Sequence, residues 1–134
     1  VGSVLVGDQD AIAESHRWRK MFGGGMRQSG MLAAAGLYAL ENNIERLSED
    51  HQRARRLAEA IGNMSRFHVD LGAVQSNMVY VECVEVGAVE MRERLTQRGV
   101  DVLDESDSII RAVTHLHITD EDVERTIEAF EASQ

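Results

Sequence analysis

Arg111 lies in the segment IIRAVTHLHI (109–118), in which apolar residues alternate with residues of other types. In a β-strand, successive side chains point to opposite faces. One face then carries Ile110, Ala112, Thr114, Leu116 and Ile118, and the other carries Arg111, Val113, His115 and His117. A guanidinium among apolar residues is costly to bury unless an anion meets it. Two interpretations stay open: an ion pair with one of the chain's own carboxylates, or a planar fork for the carboxylate of a ligand.

Three consecutive glycines, 23–25, separate Lys20 from Arg27 in the stretch WRKMFGGGMRQSGMLAAAGLYALENN. The cluster matches neither of the common phosphate-binding signatures, since the spacing of both the dinucleotide fingerprint and the P-loop is missing. A side-chain-free loop before a helix can still hold an anion through backbone N–H groups and two cations. The alternative is a plain hinge between two helices with solvated cations.

Other reactive side chains give weaker signals. His115 and His117 on one strand face offer two metal ligands, but no third is positioned, so we predict structural histidines and no metal site. Cys83, the only cysteine, lies in the apolar run NMVYVECV, which predicts a buried structural thiol, no internal disulfide and a reducing compartment.

Charge and hydropathy limit the partners. The formal net charge is −9 and no basic run occurs, which argues against nucleic acid and anionic membranes as partners. No apolar stretch is long enough to span a membrane and no leader precedes the first residues, so we expect a cytoplasmic protein. The run VGSVLVG is strand-like from its first letter, which suggests a piece of something longer.

The first part of the chain predicts three helices. Asp8 can cap a helix over Gln9–Met21, which the glycines end. A second helix, rich in small residues, begins at about Gln28 and breaks near Asn42 and Asn43. Apolar residues at helical spacing then predict an amphipathic helix over 44–62.

The second part predicts strands covered by helices. Strands are expected at 77–83, 100–103 and 109–118, with a helix over 88–98 between the first two. Thr119 and Asp122 have the spacing of a capping box, which predicts the start of a last helix. These elements indicate a small α+β layer structure.

Four stretches in this order resemble the C-terminal part of low-specificity L-threonine aldolases: VGSVLVG, WRKMFGGGMRQSGMLAAAGLYALENNIERLSEDH, SNMVYVE and IRAVTHL. The resemblance covers nearly the whole chain and is loose over 58–75 and 83–108. It implies an α/β enzyme of the aspartate-aminotransferase type that binds pyridoxal 5′-phosphate. Such enzymes split L-threonine, L-allo-threonine and related β-hydroxy-α-amino acids into glycine and an aldehyde. Residues 1–43 would end the large cofactor-binding domain, and residues 44–134 would form the small α+β domain.

The resemblance also implies roles for individual residues. The residue matching Arg111 binds the substrate's α-carboxylate, and those matching Lys20 and Arg27 belong to the active-site surroundings. Residues 21–40 would lie at a subunit contact, since members of the family are typically homotetramers built from tight dimers.

The family's Schiff-base lysine lies in a segment of the type S-K-G-L-G-A-P just ahead of the residue matching Val1. Lys20 does not replace it, so we expect no catalytic residue in this chain and no activity without the N-terminal portion of the enzyme. A second class of function stays open, a non-catalytic dimerisation or regulatory module in which Arg111 and the glycine loop serve only packing.

Overall fold

The computed structural model describes residues 3–134, and Val1 and Gly2 lie outside the described residues. The chain divides into two compact units, Val1–Glu45 and Arg46–Gln134. No helix in the described part is long and apolar enough to cross a membrane.

The first unit contains two helices, α1 (Gln9–Met21) and α2 (Gly30–Asn42). Asp8 caps α1 as predicted, because its Oδ1 accepts a hydrogen bond from the backbone N–H of Ala11 at 2.8 Å. The second helix begins later than the predicted Gln28, because Gln28 has a φ of 54°, which lies outside the helical region.

Neither helix of the first unit has a buried residue. Residues 3–7 of the strand-like run VGSVLVG form no strand, since the described residues of this unit offer no second strand to pair with them. The exposed large apolar residues are Val4, Leu5, Val6, Trp18, Met21, Phe22, Met26, Met31, Leu32, Leu37, Tyr38, Leu40 and Ile44. The unit therefore has no core of its own among these residues.

The second unit is an antiparallel sheet with helices on one face. Its helices are α3 (Leu47–Gly62), α4 (Ala88–Thr96) and α5 (Asp120–Glu131), and its strands are β1 (Phe67–His68), β2 (Met78–Cys83), β3 (Leu103–Asp104) and β4 (Ile109–Val113). The strand order is β1-β2-β4-β3. Along β2 every second residue is buried, so the helices cover one face and leave the other open.

The core of the second unit joins the covered sheet face to all three helices. Its largest fully buried side chains are Phe130, Ile61, Met91, Leu95, Ile110, Val79, Val81 and Val123. Cys83 lies in this core as a free thiol, which confirms that it is buried. Burial raises the pKa of the Cys83 thiol to about 11, with a smaller contribution from the charge of Glu82. The neutral thiol is therefore a packing residue at physiological pH.

Several predicted boundaries of the second unit are wrong. Helix α3 begins at Leu47 and not at residue 44, β1 was missed, and β3 lies at Leu103–Asp104 and not at 100–103. Helix α4 ends at Thr96 and not at residue 98; Gly99, three residues after Thr96, has a φ of +79°. The capping box of α5 is confirmed, with Thr119 and Asp122 each bonding the other's backbone N–H.

Strand β4 ends at Val113 and does not extend to residue 118. Thr114 bonds Asn77 through its backbone N–H at 2.9 Å and accepts from the Asn77 side chain at 2.7 Å. Its Oγ1 donates to the carbonyl of Asp50 in α3 at 2.7 Å. The chain then turns, with the N–H of Ile118 bonded to the carbonyl of His115 at 2.8 Å. The alternation of faces is therefore confirmed only up to Thr114, which is buried.

We predict that Thr114→Val lowers the free energy of unfolding by about 0.5–1.5 kcal/mol, because the substitution keeps the shape but removes the buried hydrogen bond from Thr114 to the Asp50 carbonyl. The measurement is urea unfolding followed by circular dichroism. Thr114→Ser, which retains the hydroxyl, is the matched control and should lose less. Equal midpoints for Thr114→Val and the parent would contradict the role of this hydrogen bond.

Candidate functional site

The open face of the sheet carries Arg111 among apolar neighbours, with Glu82 and His68 towards the β1 edge. Arg111 of β4 lies opposite Tyr80 of β2 on one side and opposite Leu103 of β3 on the other. Residues directly opposite each other in antiparallel strands share a face, so both neighbours flank the guanidinium stem. Met78 and Val113 extend this surface, and all four apolar neighbours are exposed. The predicted side for Arg111 is confirmed.

Arg111 forms an ion pair inside the chain. Its Nη1 lies 2.6 Å from Oε1 of Glu105, and the two side chains are 27% and 36% exposed. Its Nε is buried and makes no hydrogen bond within residues 3–134. The first interpretation, an ion pair with a carboxylate of the chain, is therefore confirmed. One donor of the same guanidinium still has no acceptor within residues 3–134. A role in binding a ligand carboxylate stays a prediction.

Glu105 is a residue of this site that no pattern in the sequence singled out. Glu105 follows β3 directly and stands in the turn that joins β3 to β4. Its signal in the sequence is the acidic segment DESDS between two short apolar runs, which is typical of a hairpin connection. Only the strand register places this carboxylate beside Arg111.

Arg27 lies in the glycine loop of the first unit (residues 22–29), and Lys20 lies in the last turn of α1, just before this loop. Gly23 ends α1 with a φ of +80°, which favours glycine. A Cβ at Gly25 would lie 3.0 Å from Cδ of Lys20, so the absence of a side chain lets the lysine stem lie against the loop backbone. The ion pairs within residues 3–134 include neither Lys20 nor Arg27, and both are exposed.

Helix α2, which follows the glycine loop, begins without a side-chain cap. Ser29 stands at the N-cap position but makes no side-chain hydrogen bond there, and the first turn has no acidic residue. The first N–H groups of a helix need acceptors from outside it. The loop thus combines two cations with free backbone donors, while an anion-binding role for Lys20 and Arg27 stays a prediction. Arg111 belongs to the other unit.

His115 and His117 lie in the turn after β4 and not on a strand face. Their rings meet edge to face with centroids 5.7 Å apart, and both side chains are exposed. The N–H of His117 donates to Nδ1 of His115 at 3.3 Å. In the described part of the chain, no group of three or more possible ligands could hold a metal ion.

Comparison with known proteins confirms the resemblance. The model of the beta-eliminating lyase family matches residues 1–84. The chain is 42% identical over 134 residues to the probable low-specificity L-threonine aldolase 2 of Arabidopsis thaliana, a match that covers 98% of this chain and 38% of that protein. It is 46% identical over 121 residues to the low specificity L-threonine aldolase of Escherichia coli (strain K12), with 90% of this chain and 35% of that protein covered.

A solved structure shares the fold. The NifS-like protein from Rickettsia africae ESF-5 matches with a TM-score of 0.51 and 18% identity, over 66% of this chain and 30% of that chain. At this identity the likeness concerns the fold alone, and it agrees with the predicted fold class.

The chain spans little more than a third of the length of the two aldolases described above, at 38% and 35%. The family model, in contrast, covers more than half of this chain, residues 1–84 of 134. The chain therefore belongs to the beta-eliminating lyase family.

Proposed function

We propose that this chain is the C-terminal part of a pyridoxal 5′-phosphate-dependent aldolase, a carbon–carbon lyase that cleaves L-threonine, L-allo-threonine and related β-hydroxy-α-amino acids to glycine and an aldehyde. The similarity to L-threonine aldolases supports the reaction class. The observation that carries the proposal is the environment of Arg111, which lies between apolar neighbours on the open sheet face and has a buried donor without an acceptor in residues 3–134.

Arg111 binds the α-carboxylate of the amino-acid substrate in this proposal. Tyr80 and Leu103 flank the guanidinium, and a partly desolvated site strengthens the attraction between opposite charges. The planar guanidinium matches both oxygens of a carboxylate, which fixes the direction of the bound molecule as well as its charge. Holding this end restricts rotation of the substrate, so that the bond to be broken is presented in one orientation.

The first unit supplies cations for an anionic cofactor. When bound, pyridoxal 5′-phosphate accepts the electron pair that is released as the Cα–Cβ bond breaks. Lys20 and Arg27 fit the surroundings of such a group, because neither has an ion pair within residues 3–134 and α2 begins with uncapped N–H groups.

We assign no covalent role to Lys20, the only lysine of the chain. The covalent lysine and the base that takes the proton of the β-hydroxyl group belong, in our proposal, to the N-terminal portion of the enzyme. Residues 1–134 alone are then inactive. The free thiol of Cys83 supports a reducing, cytoplasmic compartment.

We predict that Arg111→Ala in the complete enzyme lowers kcat/KM for L-threonine by about 30- to 150-fold, which corresponds to about 2–3 kcal/mol for a bidentate charged contact. Arg111→Lys should recover only part of this loss, because an ammonium keeps the charge but not the fork. Steady-state kinetics on threonine measures both.

Arg92→Ala is the control for this pair of variants, since Arg92 pairs with Asp104 of the same unit. Activity of Arg111→Ala within twofold of the parent would make Arg111 a structural residue. A complete protein that neither binds pyridoxal 5′-phosphate nor cleaves threonine would favour the non-catalytic module.

We predict that Lys20→Ala and Arg27→Ala each weaken binding of pyridoxal 5′-phosphate to the complete apoprotein by about two- to fivefold, a size typical of exposed charge pairs. The difference from the parent should shrink at high ionic strength, because salt screens exposed charges. Titration of the cofactor at two salt concentrations measures this effect. Arg17→Ala, an exposed cation of α1 away from the loop, is the control, and equal affinities in all four proteins would favour the plain hinge.

We also propose that residues 21–40 lie at a subunit contact of a homotetramer. Helix α2 is rich in small residues and leaves Met31, Leu37 and Tyr38 exposed, so a partner surface would bury an otherwise wet apolar helix.

We predict that the complete protein is a tetramer at micromolar concentration by light scattering, and that Leu37→Glu lowers the mass because a buried unpaired charge is costly. Gln9→Glu, which adds the same charge at an exposed polar position of α1, should leave the mass unchanged. A monomeric parent protein would contradict this prediction.

A further inference from the structure

We propose that Glu105 is a positioning residue for Arg111. Its carboxylate holds one terminal nitrogen of the guanidinium and so presents the opposite edge, formed by Nε and Nη2, to the carboxylate of the substrate. This inference rests on the proposed function, because it takes Arg111 as the group that binds the substrate's α-carboxylate.

The contact between the two residues is short and partly shielded. Nη1 of Arg111 lies 2.6 Å from Oε1 of Glu105, and neither side chain is more than 36% exposed. A partly shielded ion pair is stronger than one in bulk water. The contact therefore keeps the Nη1 end of the guanidinium beside Glu105.

The edge that faces away from Glu105 has a donor, Nε, without an acceptor in the described part of the chain. In a guanidinium, Nη1 lies on the side of Cδ, so that Nε–H and one N–H of Nη2 point together in the other direction. Nε of Arg111 is buried and has no hydrogen-bond partner within residues 3–134. A buried donor without an acceptor is unfavourable, and a bound carboxylate would supply two acceptors along this edge.

A second arginine of the same unit shows the contrast. Arg46 gives two hydrogen bonds to the two oxygens of Asp50, at 3.0 and 2.7 Å, so that this carboxylate occupies the fork. At Arg111 the contact is to Nη1, and the buried Nε is left over. Asp50 thus takes both terminal nitrogens of Arg46, whereas Glu105 pairs with one terminal nitrogen of Arg111 and leaves its Nε without a partner.

The turn that carries Glu105 is held on both sides. The N–H of Glu105 donates to the carbonyl of Ile109 at 2.9 Å, and the N–H of Ile109 donates to Oγ of Ser106 at 3.2 Å. The carbonyls of Asp107 and Ser108 each accept a backbone hydrogen bond at 2.8 Å, from Ala88 and Cys83 respectively. The backbone of Glu105 is thus anchored to β4 on one side of a turn that is tied to α4 and β2 on the other.

The test compares four variants of the complete enzyme: Glu105→Ala, Glu105→Gln, Asp104→Ala and Arg111→Ala. Glu105→Ala should lower kcat/KM for L-threonine by about tenfold, mainly through KM, because the fork is no longer oriented before binding. Glu105→Gln keeps an oxygen that can accept from Nη1 and should stay within about threefold of the parent. Asp104→Ala removes the neighbouring ion pair with Arg92 and should behave as the parent does.

A second readout does not depend on turnover. Calorimetric titration with glycine measures the Kd of a small amino acid directly, and it should rise about tenfold in Glu105→Ala and little in Glu105→Gln. If Glu105→Ala does not fold, Glu105→Asp replaces it. Glu105→Asp keeps the charge but shortens the reach by one methylene, so a rise in Kd is expected and an unchanged Kd overturns the proposal.

The outcomes separate this inference from the proposed function. A parent enzyme that does not cleave threonine, or an Arg111→Ala variant with parental activity, refutes the proposed function and the inference with it. An impaired Arg111→Ala variant beside a parental Glu105→Ala variant refutes the inference alone. KM and Kd values below those of the parent in both Glu105→Ala and Glu105→Gln would show that Glu105 competes with the substrate for Arg111. This result also refutes the inference.

Discussion

The register between β2 and β4 decides which side chains meet solvent in the second unit. Val79 lies opposite Ala112 and Val81 opposite Ile110, and this row forms the floor of the core. Tyr80 and Arg111 then share the open face, because successive side chains alternate. A slip by one residue would place the guanidinium in the core and the apolar row in water, so the core itself enforces the position of Arg111.

A polar brace fixes the end of β4 against α3. Thr114 is buried and joins Asn77 of the neighbouring chain segment to the carbonyl of Asp50. The carboxylate of Asp50 is buried as well, but two hydrogen bonds from Arg46 satisfy it, and Arg53 lies 3.9 Å away. A buried charge with such partners is tolerated, and its loss would leave an unpaired cation. The brace lies three residues from Arg111, so it limits how far the strand can shift.

Sequence reasoning succeeded where the signal is local. Asp8 as a cap, the Thr119 capping box and the side of the strand that Arg111 occupies all follow from spacing over a few residues. It failed where distant partners decide the structure. The end of β4 depends on hydrogen bonds to Asn77 and Asp50, 37 and 64 residues away in the chain.

The two residues of the candidate site show the same difference between local and distant signals. Arg111 was identified because an arginine in an apolar strand calls for an anion, and either an internal carboxylate or a ligand meets that need. Glu105 was not identified, since only the pairing of Leu103 with Arg111 brings the β3–β4 turn to the guanidinium. Composition cannot select one carboxylate among 23 acidic residues.

The two units differ in the contacts that fix the positions of their candidate residues. In the second unit a core of buried side chains, the sheet register and an anchored turn already define where Arg111 and Glu105 stand. In the first unit α1 and α2 have no buried residue, so their own packing does little to fix the end of α1 with Lys20 or the loop with Arg27. Isolated helices of this length gain most of their stability from a packed apolar face. The positions of Arg111 and Glu105 are therefore preorganised within this chain, whereas the packing of α1 and α2 does not fix the glycine loop between them.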